Sequence, residues 1–231
     1  MEIERFSTGR VRPKAASHGP RRYLPGGWSD GTLPVNVYLV HHPQGLCLFD
    51  AGQTAHAAES AYHQRWHPFL RLARFELSPE EEIGPQLAGR GVDAGSVRWL
   101  VLSHLHTDHV GGIAAFPDTE VIVSRVEWER AQGMSGQLRG YVPQRWPFGK
   151  PVLVDLNGPP VGPFAGSYDV AGDGQLVVVP TPGHTPGHVS LIVDGEAFIG
   201  GDIAHTSAEL PAPVANFCAE EHLTVLLAHD G

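Results

Sequence analysis

Apolar residues along this chain fall into short runs punctuated by glycine, proline and polar turns, the rhythm of a β-rich protein with intervening helices. Val35 to Val40 and Leu46 to Asp50 flank a Pro-Gln-Gly turn, which predicts an antiparallel hairpin. Ala55 to Ala73 carries helix formers with an apolar face. Ser78-Pro79-Glu80-Glu81 places a capping serine before a proline and a glutamate three residues on, so a helix is expected from Pro79, bent or ended by Pro85 and Gly91. Val97 to Leu102 reads as a buried strand running into a histidine cluster. Beyond it, Glu120 to Val123 predicts a strand, Arg125 to Gln132 a helix, and the proline-rich stretch Tyr141 to Pro163 a surface loop. Gln175 to Val179, Val189 to Val193, Ala197 to Gly200 and Leu223 to Ala228 are further strands, with Asp194-Gly195 turning the second into the third. Two sheets packed face to face with helices outside is the arrangement this order implies.

Length and composition narrow the class. The 231 residues, 42% hydrophobic and 18% charged, suit one globular domain over 1–231, and no linker or low-complexity tract divides it. A formal charge of −9 is the wrong sign for gripping a phosphate backbone, so nucleic acid is not an expected partner and a small-molecule substrate is. No apolar run is long enough for a membrane helix, and Met1-Glu2-Ile3-Glu4-Arg5 does not open a signal peptide. A cytoplasmic setting is expected, and the two cysteines, Cys47 and Cys218, form no disulfide framework. The pattern permits a homo-oligomer without indicating one.

Histidine is the outlier, at 14 residues. Ser103-His104-Leu105-His106-Thr107-Asp108-His109 puts three imidazoles and a carboxylate directly after an apolar strand, a density that asks for a cation. Residues two apart in an extended segment point the same way, so His104 and His106 can share one metal, while Asp108 and His109 turn toward a second. That demands more donors downstream, and three strand ends offer them: His184 in Pro182-Gly183-His184, Asp202 after Gly200-Gly201, and His229 after Leu226-Leu227-Ala228. His188, in the same glycine-proline loop as His184, reads as a brace rather than a ligand.

With these motifs in this order, and with Asp50 in Leu48-Phe49-Asp50-Ala51-Gly52, the chain resembles the metallo-β-lactamase fold superfamily over nearly its whole length, and within it the N-acyl homoserine lactone lactonases. The resemblance implies an α+β fold, an αββα four-layer sandwich of two mixed β-sheets with helices outside and metals at one edge. It implies two divalent metal ions per chain, zinc first, with iron, cobalt or manganese compatible with the same donors. His104, His106 and His184 would hold one, Asp108, His109 and His229 the other, and Asp202 would bridge them with a hydroxide. Asp50 would orient the cluster loop from behind. The implied activity is hydrolysis of a small ester-like bond by that hydroxide, foremost a lactone, hence quorum quenching, with Asp108 also passing a proton to the leaving group.

Two departures qualify the resemblance. Where these lactonases carry a tyrosine that contacts the substrate carbonyl, this chain has His205, which can still donate a hydrogen bond and is counted with Asp108 as catalytic. Only 26 residues separate Asp202 from His229, which leaves the sequence short of the helix usual before the last strand. Trp28, Tyr141, Trp146 and Phe148, in loops a rigid scaffold would position, are candidates for an acyl-binding wall. The competing readings are a glyoxalase II-type thioesterase, which would use the same ligands, and a mono-iron persulfide dioxygenase. A flavodiiron centre is disfavoured by His106, and an inactive binding module by the complete donor set.

Overall fold

A computed structural model describes residues 1–14, 27–59, 62, 73–146 and 149–231. Among the described residues, twelve strands run in chain order: β1 (Glu2–Pro13), β2 (Leu33–His42), β3 (Gly45–Phe49), β4 (Ala73–Glu76), β5 (Val97–Val101), β6 (Glu120–Ser124), β7 (Val152–Val154), β8 (Tyr168–Asp169), β9 (Leu176–Pro180), β10 (Val189–Val193), β11 (Ala197–Ile199) and β12 (Thr224–Leu226). They form a seven-stranded sheet, β4-β1-β2-β3-β5-β6-β7, and a five-stranded sheet, β12-β11-β10-β9-β8. Both are mixed: β3, β5, β6 and β7 run parallel beside an antiparallel β4-β1-β2-β3, and β12 alone is parallel to its neighbour.

Strand periodicity sorts the side chains into layers. Tyr38, Val40, Cys47, Phe49, Trp99 and Val101 point inward and meet Val178, Val189, Leu191 and Ile199 of the second sheet. Their neighbours Val37, Leu39, Leu48 and Leu100 point outward, onto Ile83 and Leu87 of helix α1 (Ile83–Gly89) and onto Ile113 and Phe116. On the far side, Val179, Ile192 and Phe198 pack against Val214 and Cys218 of helix α5 (Ala212–Glu220). Burial on both faces explains why the central strands are nearly continuous apolar runs. The result is the αββα four-layer sandwich expected from the sequence.

Local differences have physical reasons. The first expected helix begins at Ala55 only as a 3-10 turn, Ala55–Ala58, and most of its remainder lies outside the described residues. At Pro79 the chain makes a 3-10 turn, with Ser78 N donating to Glu81 Oε2 at 2.6 Å, and α1 follows only after Glu82. Pro85 sits in the first turn of α1, where its missing N–H costs no helical bond. The segment Tyr141 to Pro163 is not all loop: β7 adds an edge strand through parallel pairing with β6. The missing helix before the last strand is present as α5, with Pro213 in its first turn and Val214 and Cys218 buried one turn apart. Among the described residues, no helix is long and apolar enough to cross a membrane.

Candidate metal centre

The donor residues follow the C-terminal ends of β3, β5, β9, β11 and β12, which all open on one edge of the sandwich. Asp50 follows β3 with φ 64°, a left-handed conformation that L residues other than Asn, Asp and Gly seldom hold. That backbone aims its carboxylate at the cluster loop. Oδ1 accepts from Ser103 N at 2.7 Å, while Oδ2 accepts from Ser103 Oγ at 2.8 Å and lies 2.7 Å from His109 Nδ1. His109 sits in α2 (Thr107–Val110), a single turn that folds Asp108 and His109 back toward the edge.

The sheets are fastened to each other here. Val189 N donates to Ser103 O at 2.9 Å, Asn36 N donates to Ala228 O at 2.7 Å, and Tyr38 Oη donates to Leu227 O at 2.7 Å. His229 is thereby placed on the β2 side, its Nδ1 2.7 Å from Pro34 O, leaving Nε2 facing inward. Glycine is needed before Asp202: Gly201 has φ 56°, and a Cβ there would lie 2.8 Å from Ser103 Cβ and 2.9 Å from His188 Nε2.

Three donor groups result, His104-His106-His184, His104-His109-Asp202 and Asp108-His109-His229, with the ligand atoms of each within 4.8 Å of one another. His106 Nδ1 is 3.0 Å from both His104 Nε2 and His184 Nε2. Tetrahedral coordination at zinc–nitrogen distances would set such nitrogens about 3.3 Å apart. Asp202 lies between the groups, with Oδ1 3.3 Å from His109 Nε2 and 3.2 Å from His229 Nε2, and Oδ2 3.4 Å from His184 Nε2. Asp108 Oδ2 is 3.9 Å from His229 Nε2.

Despite these approaches, His109 Nε2 and Asp202 Oδ1 are buried without a hydrogen bond. Buried polar atoms are ordinarily satisfied. A carboxylate oxygen beside inward-facing imidazole nitrogens is satisfied by cations between them, so these residues fit a pair of divalent metals.

The electrostatics agree. Burial holds His104 and His106 well below the ordinary imidazole range and also lowers His184, so these three are neutral and available to coordinate. Burial works the same way on His109 and His229, but there the Asp202 carboxylate outweighs it: His109 is raised well above its usual value and His229 to about 9. Burial would raise Asp202, yet the imidazoles of His229, His109 and His184 hold it well below the carboxylate range. Without metal, protons on His109 and His229 supply the positive charge that Asp202 requires.

His188 lies behind Asp202. Its Nε2 accepts from Asp202 N at 3.0 Å, its Nδ1 is 2.8 Å from Thr181 Oγ1, and burial pushes its pKa down to about 3. His205 is exposed on the rim, its ring 5.9 Å from that of His229. The four candidates for an acyl wall fare differently. Tyr141 is buried beneath His106, ring centroids 5.1 Å apart, and so supports that imidazole instead of lining a surface. Lys14 Nζ and the Arg74 guanidinium lie 4.6 and 4.4 Å from the Trp28 ring, which makes it a cation-binding surface and not a bare apolar one. Trp146 packs against Trp128 at 5.6 Å. Phe148 lies outside the described residues.

Sequence reasoning did not single out the groups that fix the imidazoles from behind: Ser103 Oγ, 3.0 Å from His104 Nδ1, and the carbonyl oxygens of Pro34 and of Arg139, the latter 3.4 Å from His106 Nε2. Only Ser103, at the head of the cluster motif, left a trace in the sequence.

The sequence profile of the metallo-beta-lactamase superfamily matches residues 30–214. An N-acyl homoserine lactonase AttM of Rhizobium radiobacter is 36% identical over 173 residues, covering 73% of this chain and 62% of that protein. An N-acyl homoserine lactonase of a Bacillus species is 31% identical over 196 residues, covering 81% of this chain and 72% of the relative. The chain thus spans under two thirds of the first relative's length. Among solved structures, an N-acyl homoserine lactone hydrolase with the product N-hexanoyl-L-homoserine bound at its catalytic metal center superposes with a TM-score of 0.71 and 22% identity, over 99% of this chain and 92% of that one. On fold, donor geometry and sequence together, the chain belongs to the metallo-beta-lactamase superfamily.

Proposed function

We propose that this chain is a dinuclear metal-dependent hydrolase that opens a small ester-like bond, with N-acyl homoserine lactones as the leading substrate class. The observation that carries the reading is Asp202, whose two oxygens face opposite donor groups, Oδ2 toward His184 and Oδ1 toward His109 and His229. His104, His106 and His184 would hold one cation and Asp108, His109 and His229 the second, with Asp202 available to both. Imidazole and carboxylate donors suit zinc first and tolerate iron, cobalt or manganese. Bound there, such a pair supplies a water of lowered pKa and polarises the substrate carbonyl.

The chain's own groups do the rest. Asp50 accepts the Nδ1 proton of His109, and the Pro34 carbonyl that of His229, so both imidazoles turn Nε2 inward. His104 and His109 are buried, whereas the side chains of His184 and His205 are 33% and 56% exposed, so substrate enters on their side. From the rim, His205 donates a hydrogen bond to the substrate carbonyl, and Asp108 takes the proton of the attacking water and passes it to the departing alkoxide. The names of the related lactonases favour the same substrate class.

A hydrolysis screen tests the reading: N-hexanoyl and N-decanoyl homoserine lactone against a thioester, a phosphotriester and a β-lactam. The lactones should give the highest kcat/KM. A thioester as the best substrate would replace the lactone assignment, and no hydrolysis of any would remove the hydrolase reading.

A further inference from the structure

Glu127 is a carboxylate only 1% exposed, in the first turn of helix α3 (Arg125–Ala131), and no step proposed above uses it. Its Oε1 accepts from the backbone N–H of Leu105 at 3.1 Å, the residue between His104 and His106. Its Oε2 accepts from the Thr185 hydroxyl at 2.7 Å and from Gly187 N–H at 3.3 Å, both on the loop that carries His184. Burial, and after it the nearby Glu127 carboxylate, push the pKa of the Tyr141 hydroxyl up, and the Tyr141 ring packs on His106. The approach of the His184 loop depends on a missing side chain, since a Cβ on Gly187 would lie 2.1 Å from Glu127 N.

A buried carboxylate surrounded by neutral donors is costly for folding and is a poor choice where packing alone is needed. What these contacts provide is a fixed spacing between two loops distant in sequence, one bearing His104 and His106 and the other His184. We propose that Glu127 is the positioning residue of this three-histidine group and does for it what Asp50 does for His109. The proposal rests on the metal-binding reading of the donor groups. Without the clamp the His184 loop can drift from His106, while the Asp50 and Pro34 contacts still hold His109 and His229.

The test is a Co²⁺ titration of the metal-free full chain, followed by visible absorption and by chelator competition. His106→Ala marks the signal of the three-histidine site and Asp50→Asn that of the other. Glu127→Gln keeps the side-chain shape but sets an amide NH₂ where an oxygen accepted. It should weaken Co²⁺ at the three-histidine site by about 10–100-fold, the usual cost of losing an outer partner, and leave the second site at the parent's affinity. Thr185→Val, which deletes one donor and leaves the carboxylate intact, should weaken the same site less, and it carries the test if Glu127→Gln fails to fold by circular dichroism. A parent that binds two cobalt ions while the folded variant is weakened equally at both sites, or at neither, overturns the role of Glu127 alone. A parent that binds no cobalt overturns the metal reading and this proposal with it.

Discussion

Asp50→Asn isolates one electrostatic contribution to the site. Asparagine tolerates the φ of 64° about as well as aspartate, so the backbone strain is unchanged and only the acceptor chemistry differs. The Ser103 N–H, 2.7 Å from Oδ1, holds the remaining oxygen of the amide. Its NH₂ then occupies the place of Oδ2 and faces His109 Nδ1 at 2.7 Å, donor against donor. To escape, His109 moves its proton to Nε2, the atom that must keep a lone pair for a metal. A hydrogen bond to a charged group contributes roughly 1.5–3 kcal/mol net. At about 1.4 kcal/mol per factor of ten, its loss corresponds to a roughly 10–100-fold weaker second site. Chelator competition should show that loss at the second site, with a smaller one at the three-histidine site because Ser103 Oγ, which also donates to Oδ2, backs His104, and excess metal should restore much of kcat/KM. Unchanged affinity at both sites in a folded Asp50→Asn protein would refute the tautomer argument.

Other expectations follow from the same geometry. His106→Ala should remove a metal and most activity, whereas His188→Ala, which frees only the Asp202 N–H and Thr181, should keep both metals and a measurable activity; equal metal loss would show His188 to be a ligand. Because His109 is raised and His229 lies at about 9 without metal, both are protonated at pH 7, so binding should release about two protons per chain and affinity should climb as pH rises toward 9; calorimetry in buffers of different ionisation enthalpy showing no release would contradict this. His205→Ala should lower kcat without changing metal content, and unaltered kinetics would remove His205 from the reaction.

Much of this architecture was legible because it is periodic. The β2–β3 hairpin, β5 and β10 are apolar runs ended by turn residues, and the donor residues stand at strand ends in a recognisable order. The misjudged parts depend on distant partners. β1, which carried no sequence expectation, is studded with charge and is held by β2 and β4. β7 is three residues on a sheet edge, and α5 buries only Val214 and Cys218. The groups behind the site were hidden for the same reason. Glu127 stands in an amphipathic helix where a glutamate reads as solvated, and the Pro34 and Arg139 contributions are backbone oxygens that any residue would carry.

The central claim is that seven residues hold two metals which this chain uses to open a lactone. Its most direct test measures bound metal and homoserine lactone ring opening on the same sample, before chelation, after it and after metal is returned. About two divalent ions per chain are expected, with activity lost when they are removed and regained when they are returned. A single iron per chain, or lactone hydrolysis that survives complete metal removal, would contradict it.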